Sequence, residues 1–573
     1  MRIKYISISL IVALLLVTAC EEDYLVRLPQ DQISTYDYWN TTNDLKTYVN
    51  QFYPNFDDNS EWTGGIFWFD VGTDNMIAEH YDARLAGTRV VSVSGGWNYT
   101  QIRSVNYFFE SYEKCEDDFA NYKQYVGEAY FFRAYFYGNL LQTYGDVPWI
   151  DKTLLPNSEE LYAPRTNRNE IANYILADLD KAIEYMDSGP NEDGMRLNKE
   201  IAILYKSRIA LYEGTWEKYH AGTDFGLSGS DGSTLLQEAA DAAEQLINMG
   251  VYSIYTENDP GGAYWHLFNN PYDYVGHPEV MLWKKYDIDL GMKHFHQFYL
   301  PQYGGGVGIT QSLVDDYLCS DGLPISLSLL YQGDTTTPVV AANRDPRLKQ
   351  TMYTPGWPMA IVDLDTTRVF ERSLLPASGN HKCVTGYQLN KGALPDPSQM
   401  EGGSVTPSII FRYAEALLNF AEAKAELGTL TQNDVDKSIK LLRDRVGMPN
   451  LDLATIQPDP DWDFPLLSPV INEVRRERRI ELACEGYRWN DIARWRAHHL
   501  IINMKPKGAF FSAEEYPELE VGVSVFVDEN GYVDPYQASL PDGYGFDPNR
   551  DYLSSIPTEQ LTLNSNLEQN PGW

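Results

Sequence analysis

The chain has 573 residues, of which 43% are hydrophobic, so it is long enough to bury a large core and is not disordered by composition. Its net charge of −36 makes polyanions poor partners, which argues against nucleic acid and anionic lipid headgroups as ligands. The net charge is compatible with neutral and cationic ligands.

The first 20 residues have the pattern of a bacterial lipoprotein leader. Two basic residues and an apolar stretch over 6–17 precede the run Val17-Thr18-Ala19-Cys20, which looks like a lipoprotein cleavage box. We therefore expect 1–19 to be a signal peptide and Cys20 to be the lipidated first residue of the mature chain. The alternative is an ordinary secreted signal in which Cys20 is incidental. No later segment has the unbroken apolar stretch that a spanning helix needs, so we expect membrane contact through the lipid anchor only.

Helical periodicity is strong between about 40 and 250. Four apolar residues recur at helical spacing after a capping run at 41–43, namely Leu45, Tyr48, Val49 and Phe52. Further helices are predicted at about 125–144, 171–186, 198–216 and 235–248, the first of them apolar almost all round. Short connections between these helices favour antiparallel pairs, and their spacing is loosely compatible with degenerate tetratricopeptide-like repeats.

The helical periodicity is lost in the middle of the chain. Residues 251–406 are rich in Gly, Pro, Asp and aromatic residues, which predicts a loop-rich insertion. Helices are predicted to resume at 409–427, 432–446 and 469–499, and the tail at 501–573 is again loop-like. The sequence thus predicts a mainly α fold, with a helical scaffold at about 40–250 and 407–500 that is split by the insertion. Binding residues are expected in loops held by such a scaffold.

Catalytic signatures are absent from the sequence. It has no G-x-S-x-G elbow, no Walker loop and no H-E-x-x-H motif. His294 and His296 could share one face of a strand, but two ligands without a third do not define a metal site. We expect no catalytic residue, no bound metal and no cofactor, and the sequence leaves open whether a structural calcium ion supports a loop.

Four cysteines follow Cys20, and they are far apart in sequence: Cys115, Cys319, Cys383 and Cys484. None forms a C-x-x-C pair, so zinc and thioredoxin-like sites have no support. Two disulfides and buried free thiols are both compatible with this spacing.

The run Arg475-Arg476-Glu477-Arg478-Arg479 resembles a basic patch at first sight. Glu473, Glu477 and Glu481 interleave it at helical spacing, so most of its charge can be paired along the helix or against neighbours. We therefore predict a structural role for this run and no nucleic-acid partner.

The most specific motifs lie in the scaffold. They are Tyr144-Gly145-Asp146-Val147-Pro148, Ala210-Leu211-Tyr212-Glu213-Gly214, Phe411-Arg412-Tyr413-Ala414-Glu415-Ala416, the segment 471–495 with Cys484-Glu485-Gly486-Tyr487-Arg488-Trp489-Asn490-Asp491, and the closing Asn570-Pro571-Gly572-Trp573. In this order they resemble the SusD/RagB family of surface lipoproteins, which bacteria of the Bacteroides group use for nutrient capture. The resemblance extends from the cleavage box to the last residue.

The resemblance implies one largely helical unit, 20–573, built on tetratricopeptide-like pairs with an irregular ligand-binding half. It also implies a partner, a SusC-like TonB-dependent outer-membrane transporter over which the lipoprotein closes as a lid. The run Glu21-Glu22-Asp23 then looks like the signal that sends such lipoproteins to the outer face. The motifs do not name the ligand: the starch-binding member stacks loop aromatics on sugar rings, whereas RagB-type members are associated with peptides.

The aromatic content favours carbohydrate as the ligand. The chain has 41 tyrosines and 13 tryptophans, and these side chains combine a flat apolar face with a polar edge. Candidates are aromatic residues in non-periodic stretches, with polar residues near them. The predicted ligand-binding residues are Trp62, Trp68, Asp74, Asn75, Arg84, Trp97, Trp283, Tyr299, Tyr303 and Trp357. Trp97 lies in the region where the starch-binding member places a stacking tryptophan, although any single ring is more often structural.

These observations favour a non-catalytic, cell-surface lipoprotein of the outer membrane. It would capture oligo- or polysaccharide and deliver it to the SusC-like transporter. One alternative keeps this transport role but has an oligopeptide as the ligand, as in RagB. A second, less favoured alternative is a surface glycoside hydrolase, motivated by the abundant carboxylates and aromatic residues.

Overall fold

The computed structural model describes residues 38–59, 65–375, 381–400 and 403–573. The predicted signal peptide, Cys20 and Trp62 lie outside these ranges. The described residues are mainly helical, as the periodicity predicts. No helix among them is long and apolar enough to cross a membrane.

The N-terminal scaffold, as far as the structure describes it, has six helices. They are α1 (Thr42–Asn50), α2 (Thr100–Phe109), α3 (Phe119–Tyr144), α4 (Arg168–Tyr185), α5 (Lys199–His220) and α6 (Ser233–Met249). Helix α3 packs on α4, α4 on α5, and α5 on α6. Neighbours in sequence are therefore neighbours in space, as short connections favour.

Local sequence explains where these helices begin and end. The Thr41 side chain accepts a hydrogen bond from the Asp44 amide, and the Asp44 carboxylate accepts one from the Thr41 amide, which closes a capping box on α1. Helix α3 ends at Gly145, whose φ of 73° favours glycine. The middle of α3 is buried almost all round because α1, α2 and α4 pack against it.

Where the structure describes it, the insertion carries short elements. Its helices are α7 (Ala263–Phe268), α8 (His296–Tyr303), α9 (Gln311–Asp316), α10 (Thr337–Val340), α11 (Pro346–Thr351) and α12 (Pro397–Met400). Its strands belong to three antiparallel pairs: β1 (Met76–Ala78) with β3 (Val307–Ile309), β2 (Val280–Lys284) with β6 (Ser408–Arg412), and β4 (Pro358–Val362) with β5 (Asp365–Val369). The first two pairs join the insertion to the scaffold on either side of it.

The helix predicted at 409–427 is wrong in its first part. Residues 408–412 form β6, and only α13 (Ala414–Glu426) is helical. Strand β6 pairs with β2, so its apolar residues are buried by a partner far away in sequence. The periodicity of this short apolar run is compatible with either structure.

Two further predicted helices are each divided in the structure. The helix predicted at 432–446 becomes α14 (Gln432–Asp436) and α15 (Ile439–Arg445), with a break at Ser438. The helix predicted at 469–499 becomes α16 (Pro469–Glu481) and α17 (Arg488–Arg494). Between them Cys484 has a φ of 63° and Gly486 a φ of 84°, which turn the chain out of the helical path.

The tail at 501–573 is loop-like as predicted, apart from α18 (Thr558–Leu563). It returns to the N-terminal half of the chain. Arg89 donates to the Asp551 carboxylate at 3.1 Å, and the Asn570 amide donates to the Tyr144 carbonyl at 3.0 Å. The C-terminal tail is thus hydrogen-bonded to residues 89 and 144 of the N-terminal half.

The predicted pairing of the arginine run is confirmed. Helix α16 is buried, and each arginine of the run lies beside a carboxylate: Arg475 beside Glu426, Arg476 beside Asp459, Arg478 beside Asp491 and Arg479 beside Asp316. At the end of α16, Glu481 accepts hydrogen bonds from three buried guanidiniums, those of Arg347 at 3.0 Å, Arg412 at 2.8 Å and Arg445 at 2.6 Å. We call these four residues the Glu481 cluster.

The structure also decides between the two states left open for four of the cysteines. Cys115, Cys319, Cys383 and Cys484 are all buried free thiols.

Candidate functional site

Three of the predicted aromatic residues come together on the loop-rich half. Trp68 lies 6.3 Å from Tyr299 between ring centroids, and Phe298 of the same helix lies 5.2 Å from Tyr299 and 5.6 Å from Tyr303. His381 closes the group with a ring centroid 4.6 Å from that of Tyr303. The four rings of Trp68, Phe298, Tyr299 and Tyr303 are half-buried and His381 is exposed. We call these five residues the aromatic face.

A glycine run explains how Trp68 reaches α8. Helix α8 ends at Gly304 with φ 78°, and Gly305 and Gly306 also have positive φ. A Cβ on Gly305 would lie 2.3 Å from Cζ2 of Trp68, so only glycine admits the indole at this place. The Gly306 amide then donates to the Lys382 carbonyl at 2.9 Å, which holds His381 beside Tyr303.

The two histidines near the start of α8 serve as supports. A ring nitrogen of His294 hydrogen-bonds the Thr406 carbonyl at 2.8 Å, and one of His296 hydrogen-bonds the Gly392 carbonyl at 2.9 Å. Burial lowers the pKa of His294 to about 3, so this ring is neutral at physiological pH. Among the described residues, no group of three or more His, Cys, Asp or Glu is arranged to hold a metal ion.

Polar groups border the aromatic face. Lys382 donates to the Glu79 carboxylate at 2.7 Å, and this hydrogen bond lowers the pKa of Glu79. Trp68 adds a buried Nε1 that has no hydrogen-bond partner among the described residues. The site thus combines partly exposed rings with a nearby charged pair, an arrangement that suits sugar rings and their hydroxyls.

Trp97 lies in a second groove, on the scaffold. The groove has a volume of about 540 Å³ and runs between α2 and the tail helix α18. The Trp97 ring packs edge-on against Tyr144 at 5.0 Å and lies 6.0 Å from Tyr99. Tyr162 and Leu563, also lining this groove, are 55% and 70% exposed. We call this surface the Trp97 groove.

Asp74 and Asn75, two of the predicted ligand-binding residues, are held by hydrogen bonds within the protein. Arg488 donates to the Asp74 carboxylate at 2.7 and 2.6 Å, and Arg479 donates to it at 3.1 Å. Burial opposes ionisation of Asp74, but these two guanidiniums outweigh it and lower its pKa to about 2. Asn75 is 1% exposed, and its amide donates to Asp70 at 2.9 Å and accepts from Arg479 at 2.8 Å. Both side chains support the scaffold.

Arg84, Trp283 and Trp357 also lie apart from the aromatic face. Arg84 stacks on Trp489 at 4.2 Å. Trp283 is only 2% exposed and donates to the Asp193 carbonyl at 2.9 Å, so most of its ring packs inside the protein. A stacking role for Trp283 stays a prediction. Trp357 is half-buried and forms an edge-on pair with Trp265 at 5.9 Å. Its role in ligand binding stays a prediction.

Sequence reasoning missed Phe298 and His381. Phe298 belongs to the same aromatic-rich helix as Tyr299 and Tyr303, so its position in α8 was a usable signal. His381 carries no such signal, because a backbone contact across the insertion brings it to the face.

Comparison of the sequence with models of known protein families identifies the family of this chain. Residues 291–573 match the model of the SusD family, and residues 23–211 match a SusD-like model described as starch-binding associating with outer membrane. The chain belongs to the SusD family. Two SusD-like proteins of Formosa agariphila are similar to it, one 24% identical with full coverage of both chains, the other 21% identical over 86% of this chain and 92% of the relative.

Solved structures agree on the fold of this SusD-family chain. A SusD-like carbohydrate-binding protein from Bacteroides fragilis has a TM-score of 0.70 at 20% identity, covering 92% of this chain and 99% of that one. Another SusD-like protein from the same species has a TM-score of 0.70 at 23% identity, covering 96% and 100%. A structure with a xylogluco-oligosaccharide has a TM-score of 0.59 at 16% identity, covering 91% and 97%. The mainly helical fold predicted from the sequence is therefore confirmed.

Proposed function

We propose that this SusD-family protein is a non-catalytic, lipid-anchored protein of the outer membrane that faces the cell exterior and captures oligo- or polysaccharide. It would pass the glycan to a SusC-like TonB-dependent transporter. The aromatic face carries the proposal, because half-buried Trp and Tyr rings offer flat apolar surfaces with polar groups beside them. The family description and the carbohydrate-binding neighbour support glycan as the ligand class.

Calorimetry with the purified mature protein tests this proposal. A panel of soluble polysaccharides and a panel of oligopeptides are titrated separately, and each mixture is afterwards analysed for shortened chains. We expect heat of binding from at least one polysaccharide and no shortened product. Binding of peptides without any glycan would replace glycan by peptide, and product formed at catalytic protein levels would contradict a binding-only role.

Replacing Trp97 tests whether the Trp97 groove belongs to the glycan site. We expect Trp97→Ala to weaken binding by about 1 kcal/mol, roughly fivefold, because the Trp97 ring is already packed edge-on against Tyr144 and only part of it is left for a ligand. Calorimetry with the glycan found above measures the change. Tyr272→Ala, at a 62% exposed ring outside both surfaces, is the control. Equal affinities of the two variants would remove the groove from the site.

Replacing Cys20 tests the lipid anchor. We expect Cys20→Ser to move the protein from the membrane fraction to the soluble fraction, because acyl chains contribute about 0.8 kcal/mol per buried CH₂. Ultracentrifugation followed by immunoblotting measures the distribution. Cys115→Ser, at a buried free thiol, is the control and should stay with the membrane. A Cys20→Ser protein that still sediments with membranes would contradict the anchor.

A further inference from the structure

A small polar cavity lies at the seam between the scaffold helices and the C-terminal signature. It has a volume of about 180 Å³ and is bounded by α3, α5, β6 and residues 485–494, and Asp57 and Phe69 also line it. We call it the seam pocket. Phe69 follows Trp68 in sequence, but the two rings diverge: Trp68 packs on Gly305, whereas Phe69 packs beside Gly486. The seam pocket is therefore a site separate from the aromatic face.

The charges in its walls are largely paired within the protein. Arg208 of α5 donates to both oxygens of Glu415, at 2.5 and 2.6 Å, and to the Tyr487 hydroxyl at 3.1 Å. Glu485 accepts from Arg412 at two distances of 2.7 Å. These bonds use Nε and Nη2 of Arg208 and leave its Nη1 without a hydrogen bond among the described residues. One cationic N–H group thus remains available at the pocket.

Three further polar side chains at the pocket have no hydrogen bond to any described side chain or backbone group. They are the Asp57 carboxylate, the Gln142 amide on α3 and the Asn490 amide on α17. Together with Arg208 they offer N–H donors and carbonyl or carboxylate acceptors around one small space. Each hydroxyl of a sugar both donates and accepts, so it can use both kinds of group.

Apolar walls complete this set of polar groups. Phe69 is 40% exposed, and the rings of Tyr135 and Tyr487 also line the pocket. A sugar ring has C–H faces that pack on such rings while its hydroxyls reach the polar groups at the rim. The volume is well below the roughly 300–1,000 Å³ of pockets that hold drug-sized ligands, so the pocket accepts one small unit only.

The charges at the seam pocket restrict the class of ligand further. The Asp57 carboxylate, which forms no ion pair within 4 Å with any described residue, and the net charge of −36 disfavour a phosphorylated or otherwise anionic ligand. The free N–H group of Arg208 disfavours a cation at the same place. We propose that the seam pocket binds one neutral sugar residue, hydrogen-bonded by Asp57, Gln142, Asn490 and Arg208 and packed on Phe69.

The bound sugar can be a free monosaccharide or the end of a glycan chain, since both present the same ring and hydroxyls. The inference stands on the pocket alone and does not depend on glycan capture at the aromatic face. Trp68→Ala should therefore leave binding in the seam pocket unchanged. This separates a failure of the proposed function from a failure of the seam-pocket proposal.

Saturation-transfer NMR on the mature protein tests the proposal, with glucose, galactose, mannose, xylose and N-acetylglucosamine as free sugars. We expect transfer to at least one of them. The double variant Asp57→Ala/Asn490→Ala should weaken its binding about tenfold or more, because hydrogen bonds to charged groups are among the stronger ones. Asn139→Trp, at an exposed position of α3 that lines the pocket, should abolish binding by filling the space without changing a buried residue.

Matched controls are Asp241→Ala on α6 and Asn173→Ala on α4, both exposed and remote from the pocket residues. They should bind as the wild type does. If no free sugar binds, linear hexasaccharides of glucose, mannose and xylose are titrated into the same variants. Weaker binding in both the double variant and Asn139→Trp, with unchanged binding in the two controls, then assigns the pocket to a chain end. Binding that survives both the double variant and Asn139→Trp, or no sugar binding in either arm, overturns the proposal.

Discussion

Glu481→Gln is expected to destabilise the fold by about 3–5 kcal/mol, because it removes the one charge shared by three buried guanidiniums. The side chains of all four residues of the Glu481 cluster are almost fully buried, so water does not replace the lost carboxylate. Urea unfolding followed by circular dichroism measures the change in the free energy of unfolding. A variant as stable as the wild type would show that the other carboxylates around these arginines are sufficient.

The control for this variant is Asp444→Asn, in the exposed pair of Lys440 and Asp444 on α15. Exposed pairs typically contribute about 0.2–1 kcal/mol, so the control should shift the unfolding midpoint only slightly. A shift in Glu481→Gln no larger than in Asp444→Asn would contradict the importance of the cluster.

The same cluster gives a direction for pH dependence. Burial opposes ionisation of Glu481, but Arg445, Arg412 and Arg347 outweigh it and depress its pKa below the usual value. A depressed carboxyl pKa contributes stability above the unfolded pKa of about 4.3, and this contribution is lost as the pH falls further. Asp74 and Glu422, whose pKa values fall to about 2, add to the loss between about pH 4 and pH 2. Glu481→Gln should lose less stability than the wild type over this window.

The long scaffold helices were predictable because periodicity, capping and burial agree along them. Helix α1 follows Thr41 and α3 ends at Gly145, both visible in the sequence. The predicted helix at 409–427 failed at β6 because its partner strand lies more than 100 residues earlier, and such pairing leaves no local pattern. The long helix predicted at 469–499 failed because the positive φ at Cys484 depends on tertiary contacts, including a bond from its amide to Asp70 at 2.7 Å.

The site was predictable only in part, for a related reason. Tyr299 and Tyr303 share one face of α8, so their proximity follows from helical spacing. Their contact with Trp68 depends on the glycine run after α8, whose positive φ values the sequence suggests but does not place. Asp74 appeared as a polar candidate near the tryptophans. The arginines that bury it, Arg479 and Arg488, come more than 400 residues later in the chain.

Trp68→Ala is expected to weaken glycan binding by about 2 kcal/mol, roughly 30-fold, because it removes the largest ring of the aromatic face. Tyr299→Ala should have an effect in the same direction, since its ring lies next to Trp68. Calorimetry with the glycan found in the polysaccharide panel measures both. The free energy of unfolding is measured in parallel, because Trp68 also packs on Gly305 and its loss can loosen that contact.

Trp462→Ala is the matched control for this prediction, since Trp462 is also half-buried but lies near Glu473, away from the aromatic face. It should bind the glycan as the wild type does. If Trp68→Ala and Tyr299→Ala both keep wild-type affinity while remaining folded, the aromatic face is not the glycan site. A loss in Trp68→Ala and Tyr299→Ala but not in Trp97→Ala would place capture on the loop-rich half alone. The scaffold helices would then position the loops without contacting the captured chain.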